Sequence, residues 1–214
     1  MIPVVFDLDG TLVDSAPDIH AAVNLMLADE GIAPLTLPCV TGFVGHGLPH
    51  LVRLVMGHVG IDKARHQEIS QAVLTHYNAV SGQLTRPFSN VIAALNILQK
   101  AGHPMGICTN KPEAPAWNLL AVMGLARFFT HVVGGDSLDV RKPDPRPMQT
   151  VFDALGGQGV YVGDSEVDAE TARRGDMAFA LFSRGYRKTD VAEIPHAYAF
   201  SDFADLPGIV AQHV

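Results

Sequence analysis

The chain has 214 residues, which suits one large domain or a core with a small insert, and it can bury a substantial apolar interior. Hydrophobic residues make up 48% and charged residues 17%, a balance that excludes a disordered polymer. The formal net charge of −7 speaks against nucleic acid and anionic membranes as partners, because both demand a basic face.

The first predicted element is the apolar run Ile2 to Phe6. It reads as a strand, since no basic region precedes it as in a signal peptide and no apolar run approaches the ~20 residues of a membrane span. It delivers Asp7-Leu8-Asp9-Gly10-Thr11. Two carboxylates at i and i+2 lie on one side of an extended chain, and Gly10 then permits a sharp turn. Like charges that close resist joint ionisation, so the pair calls for a cation, most simply a divalent metal. A solvated Asp-rich turn is the plain alternative at this point.

After Asp14 the pattern becomes helical. Ser15, with Pro17 in the first turn and Asp18 three residues on, predicts a helix start close to a capping box. Ile19, Val23, Met26 and Leu27 carry one apolar stripe as far as Gly31. Leu48, Leu51, Val52, Val55 and Met56 carry a second, stopped by Gly57, and Ile69, Val73, Tyr77 and Val80 a third, ending at Ser81-Gly82. Three helices without a strand predict a helical insert. Its segment Gly42-Phe43-Val44-Gly45-His46-Gly47-Leu48 is either an ordinary connection or a place where backbone N–H groups approach an anion. His46, His50 and Arg53 are candidate carboxylate contacts, whereas Pro49 between the two histidines argues against a zinc pair.

From Pro87 onward short strands and helices alternate. A helix over Val91 to Leu98 ends at Gly102 and precedes the strand Met105 to Cys108; one around Leu119 to Met123 ends at Gly124 and precedes Thr130 to Val133. Pro145 to Leu155 leads to the strand Val160 to Val162, and Ala169 to Arg174 leads to Phe179 to Phe182. This order predicts an α/β fold, a Rossmann-like parallel sheet with helices on both faces plus the helical insert. Ligands of such sheets sit beyond the carboxyl ends of the strands, where Asp7, Thr109 and Asp164 all fall. Thr109-Asn110-Lys111 offers hydrogen-bond donors, and Pro143 holds Lys142 away from helix. Gly163-Asp164-Ser165-Glu166-Val167-Asp168 adds further acids. Acids, a hydroxyl and a lysine together are what binding a metal and a phosphate requires. Cys39 and Cys108 are expected to stay free thiols, in keeping with a cytoplasmic protein.

Over essentially its full length the chain resembles the haloacid dehalogenase-like hydrolases. The matching motifs are Asp7-Leu8-Asp9-Gly10-Thr11, Thr109-Asn110, Lys142-Pro143 and Gly163-Asp164-Ser165-Glu166-Val167-Asp168. In detail it resembles the phosphoglycolate phosphatase branch, through the run Phe6 to Ser15 and the Thr109-Asn110-Lys111-Pro112 box. The resemblance implies a catalytic core over residues 1–15 and 86–214 with a helical cap over 16–85. It implies a Mg2+-dependent phosphatase acting on a small-molecule phosphate ester, foremost 2-phosphoglycolate, as a monomer or homodimer. Asp7 would be the nucleophile, forming an aspartyl-phosphate, and Asp9 would protonate the leaving alcohol and later deprotonate water. Magnesium would be held by the Asp7 side chain, the Asp9 backbone carbonyl and Asp164, with Asp168 orienting a metal-bound water. Thr109 and the Asn110 backbone would hold the transferring oxygens, and Lys142 would neutralise charge on phosphate and Asp7. The acid at Asp9 disfavours carbon–halogen and carbon–phosphorus chemistry, and the one lysine of the insert, Lys63, reads as surface. The competing readings are a phosphosugar mutase of the beta-phosphoglucomutase type and a catalytically silent binding module.

Overall fold

The computed structural model describes residues 1–213. Strand β1 (Val4–Phe6) is wholly buried and leads through the acidic turn to the two-residue strand β2 (Val13–Asp14). Helices α1 (Ala16–Asp29), α2 (Leu37–Thr41), α3 (Leu48–Val59) and α4 (His66–Val80) follow. The chain returns through β3 (Arg86–Pro87), which pairs antiparallel with β2, so exit and return run side by side.

The alternating half then runs α5 (Val91–Lys100), β4 (Met105–Cys108), α6 (Glu113–Val122), β5 (His131–Val133) and α7 (Arg146–Leu155). It continues with β6 (Val160–Gly163), α8 (Glu166–Arg174), β7 (Ala178–Phe182), β8 (Tyr198–Phe200) and α9 (Leu206–Gln212). Six strands form one sheet in the order β5-β4-β1-β6-β7-β8, every neighbouring pair parallel. Alternation along β1 sends Val4 and Phe6 to one face, against α5, α6 and α9, and Val5 to the other, against α7 and α8. The helices between β2 and β3 gather Val23, Leu27, Val52, Val55, Met56 and Val73 around an apolar cluster of their own. Among the described residues no helix is long and apolar enough to cross a membrane.

The structure amends several local expectations. Helix α3 does not stop at Gly57 but runs to Val59, ahead of Gly60 at φ +81°. A helix tolerates an interior glycine for about 1 kcal/mol, whereas a left-handed residue ends it. Ser15 stands at the start of α1 without capping it, because its backbone (φ −98°, ψ −6°) is helical and not extended. Asp18 turns elsewhere: wholly buried, it accepts the N–H groups of Gly82, Leu84 and Thr85 and the Thr85 hydroxyl. The short α2, the β2–β3 pair and the closing β8–α9 unit add to the predicted elements. Both cysteines are free, and burial pushes the Cys108 thiol up to about 12.

Candidate active site

Strand β1 lies between β4 and β6, so the carboxyl ends of three adjacent strands present Asp7, Thr109 and Asp164 together. The turn after β1 must pass close to Asp164. At Gly10 φ is +86°, and a Cβ there would lie 2.5 Å from Asp164 Oδ2, so both conformation and space demand glycine.

Lys142 precedes α7 and is buried. Its ammonium donates to Asp168 Oδ1 at 2.7 Å and to the Tyr161 hydroxyl at 3.0 Å. It also lies 2.9 Å from Asp7 Oδ1, but off the hydrogen-bond direction, and that buried oxygen has no hydrogen-bond partner. The oxygens of Asp168 are taken by protein donors: Tyr161 and Lys142 bond one, and Ser165 with the Asp164 N–H bond the other. The capping box expected of Ser15 is made here, between Ser165 and Asp168 at the start of α8. Where the resemblance assigns Asp168 to a metal-bound water, its bonds make it the anchor of Lys142. Burial works against its charge, yet Lys142, Ser165 and Tyr161 outweigh that and hold its carboxyl below the usual range.

Asp7 and Asp164 are held the other way. Burial pushes Asp7 up to about 7, against the pull of Lys142. Burial, with Asp168 and Asp7 nearby, pushes Asp164 well above the usual range despite the Tyr186 N–H at 2.6 Å and the Thr11 hydroxyl at 2.8 Å. Oxygens of Asp7, Asp164 and Asp168 all lie within 4.8 Å of one another. Two carboxylates that resist ionisation beside an unpartnered carboxylate oxygen fit a hard divalent cation, which relieves both conditions.

Asp9 accepts from the Ser15 hydroxyl at 2.6 Å and from the Lys111 ammonium at 3.1 and 3.2 Å. Thr109 is buried, and its hydroxyl accepts the Lys111 N–H at 3.3 Å. The Asn110 amide donates to Gly45 O of the insert at 3.0 Å and to Lys142 O at 3.1 Å, tying the insert to the loop that carries Lys142. A cavity of about 80 Å³ opens between sheet and insert, with Asp7, Asp9, Thr109, Asn110 and Lys111 on one side and mainly apolar insert residues on the other.

The structure thus gathers Asp7, Asp9, Thr109, Asn110, Lys142 and Asp164. Of the three candidate carboxylate contacts it brings only His46 to the site, in an adjoining cleft lined also by Asp7, Asp9, Asp164 and Lys188. Arg53 is exposed and, like His50, lines neither space. The insert's lysine, Lys63, is exposed. The sequence marks Lys111 only as one of the donors after the strand and a member of the box Thr109 to Pro112, and it gives Tyr161 and Tyr186 no site role. For Lys111 the signal was its place among the donors that follow the strand end. Tyr186 had none: its hydroxyl donates to Asp14 at 2.7 Å and accepts the Ala16 N–H at 2.9 Å, while its own N–H reaches Asp164.

Residues 4–182 match the family model described as haloacid dehalogenase-like hydrolase. A phosphoglycolate phosphatase of Cereibacter sphaeroides is 47% identical over 210 residues, covering 97% of this chain and 96% of that one. One from Rhodospirillum rubrum is 39% identical, covering 95% and 88%. Among solved structures, a Haemophilus somnus protein described as a predicted phosphoglycolate phosphatase aligns with a TM-score of 0.92 at 26% identity, covering 97% of this chain and 96% of that one.

Proposed function

We infer that this chain, which belongs to the haloacid dehalogenase-like hydrolase family, is a magnesium-dependent phosphatase that cleaves 2-phosphoglycolate to glycolate and phosphate. The observation that carries the reading is Asp9, a carboxyl group in the cavity between sheet and insert, where a departing alkoxide needs a proton. The full-length relatives of that name support the substrate.

Asp7 attacks phosphorus as the ester P–O bond breaks, and Asp9 gives its proton to the leaving oxygen. Asp9 then takes a proton from the water that cleaves the aspartyl-phosphate, which regenerates the Asp7 carboxylate and the Asp9 acid. Lys142, fixed by Asp168 and Tyr161, faces Asp7 and offsets charge on the phosphoryl oxygens without having to reorganise. The Thr109 hydroxyl and the Asn110 N–H orient those oxygens. The Asp7 and Asp164 side chains and the Asp9 carbonyl would hold magnesium, which supplies the charge neutralisation that lets a carboxylate approach a phosphate.

Residues 16–85 act in this reading as a cap over a core of 1–15 and 86–214, excluding water and receiving the leaving group. The free thiols support a reducing compartment such as the cytoplasm.

Phosphate release over a panel of esters tests the reading. The kcat/KM for 2-phosphoglycolate should exceed those for ethanolamine phosphate and glucose phosphates by at least about tenfold, the ordinary cost of one lost charged hydrogen bond. A panel won by a hexose phosphate, or isomerisation of beta-glucose 1-phosphate without phosphate release, overturns it.

A further inference from the structure

The cavity that receives the leaving group is poor in positive charge. Of the residues that line it, Lys111 alone is cationic. The insert contributes apolar side chains, among them Ile19, Leu48, Leu51, Val73 and Leu74. An anion placed there cannot rely on solvent and must find a partner on the wall.

Lys111 is itself nearly enclosed, with 6% of its side chain exposed. Its ammonium lies 3.1 Å from Asp9 Oδ2, 3.2 Å from Oδ1, and 4.2 Å from the centre of the Tyr77 ring. An ammonium carries three donors and no acceptor, so pairing with Asp9 does not exhaust it. The Tyr77 ring face adds attraction for the cation, and the buried Tyr77 hydroxyl, which has no hydrogen-bond partner, lies in the same wall.

Covalent geometry then decides which cation can serve. In 2-phosphoglycolate the carboxylate carbon is two bonds from the ester oxygen, and Asp9 is the group that protonates that oxygen. The partner of the carboxylate must therefore stand beside Asp9, within a side chain's contact of it. Lys111 bonds Asp9 directly, whereas Arg53 and His50 line neither space, and His46 and Lys188 line the adjoining cleft, which also reaches Asp9, without bonding it.

We propose that Lys111 determines specificity, holding Asp9 with one side of its ammonium and pairing with the carboxylate of the leaving group with the other. The inference rests on the 2-phosphoglycolate reading above and assigns the residue that enforces it. A core residue, two positions from Thr109, thereby ties recognition of the leaving group to the strand end that orients the phosphate. The apolar insert acts as a dry wall that strengthens the pair and leaves the hydroxyls of a bulkier alcohol unpartnered.

The test compares 2-phosphoglycolate with ethyl phosphate, which has the same two carbons and no carboxylate, in the wild type, Lys111→Met and Lys111→Gln. Loss common to both esters, read in kcat, belongs to the orientation of Asp9. Loss peculiar to 2-phosphoglycolate, read in KM, belongs to the carboxylate. The kcat/KM ratio of the two esters should fall at least about tenfold in both variants, and Lys111→Arg should recover part of it. Should Lys111→Met not fold, Lys111→Gln, which retains a donor for Asp9, carries the comparison. A wild-type preference that persists in the variants overturns the assignment of Lys111 alone. A wild type with no preference for 2-phosphoglycolate over ethyl phosphate overturns the substrate reading, and this inference with it.

Discussion

At the scale of single residues, Asp9 is held by two donors of different kinds, the Ser15 hydroxyl and the Lys111 ammonium, while its carboxylate faces the cavity. In the proposed reaction it gives a proton to a poor leaving group, so its removal should be felt in proportion to how much the leaving group needs one. Asp9→Ala is expected to lower kcat for 2-phosphoglycolate at least ~100-fold and for p-nitrophenyl phosphate less than ~10-fold, because a phenolate departs with little help. Steady-state phosphate release on the two esters checks this, and equal losses would reduce Asp9 to a structural role. Asp7, Asp9, Thr109, Lys142 and Asp164 were legible in the sequence because each is fixed by a local signal, a strand end, a turn glycine or a following proline. The partners that set their electrostatics were not. Tyr186 acts through hydrogen bonds across long stretches of chain, to Asp14 and Asp164, and no spacing announces such pairs.

At the scale of elements, the long helices and the central strands were legible because burial on one face imposes a period that the sequence displays. The junction between insert and sheet was not. Strands β2 and β3 are two residues each, too short for any period, and their pairing is held by a helix residue, Asp18. The sequence offered Asp18 as a helix cap; the structure makes it the acceptor that ties the returning strand to α1. A buried carboxylate with that many donors is not replaceable, since its loss strands three backbone N–H groups. Asp18→Ala should therefore destabilise the protein by about 3 kcal/mol or more, summing desolvation penalties of about 1–3 kcal/mol per stranded group with partial relief by water. Urea unfolding measures it, and a change below about 1 kcal/mol would mean that those groups find other partners.

At the scale of the whole molecule, the chain carries a net charge of −7 and yet buries Asp7, Asp164 and Asp168 together around one lysine, Lys142. Protein donors reach both oxygens of Asp168 and of Asp164, but Asp7 Oδ1 has none, and burial lifts Asp7 from its ordinary 3.8 to about 7. Between those two values the folded metal-free protein retains a proton that the unfolded chain has lost, so its stability falls as pH rises through that window, and the raised Asp164 adds to the fall. A divalent cation binds only the ionised carboxylates, so its stabilisation grows over the same window. In chelator the melting temperature should drop from about pH 5 to about pH 8, at up to ~1.4 kcal/mol per unit, or a few degrees for a domain of this size. Added magnesium should raise it little at the acid end and by several degrees at the alkaline end. Asp7→Asn separates this from general acid effects, because the amide fills the same space and has no charge to bury. That variant should lose at least ~10³-fold in turnover, yet in chelator near pH 8 it should melt above the wild type and gain less from magnesium. A magnesium shift of equal size at both ends of the pH range, or in wild type and variant alike, would mean that the metal is not held by Asp7.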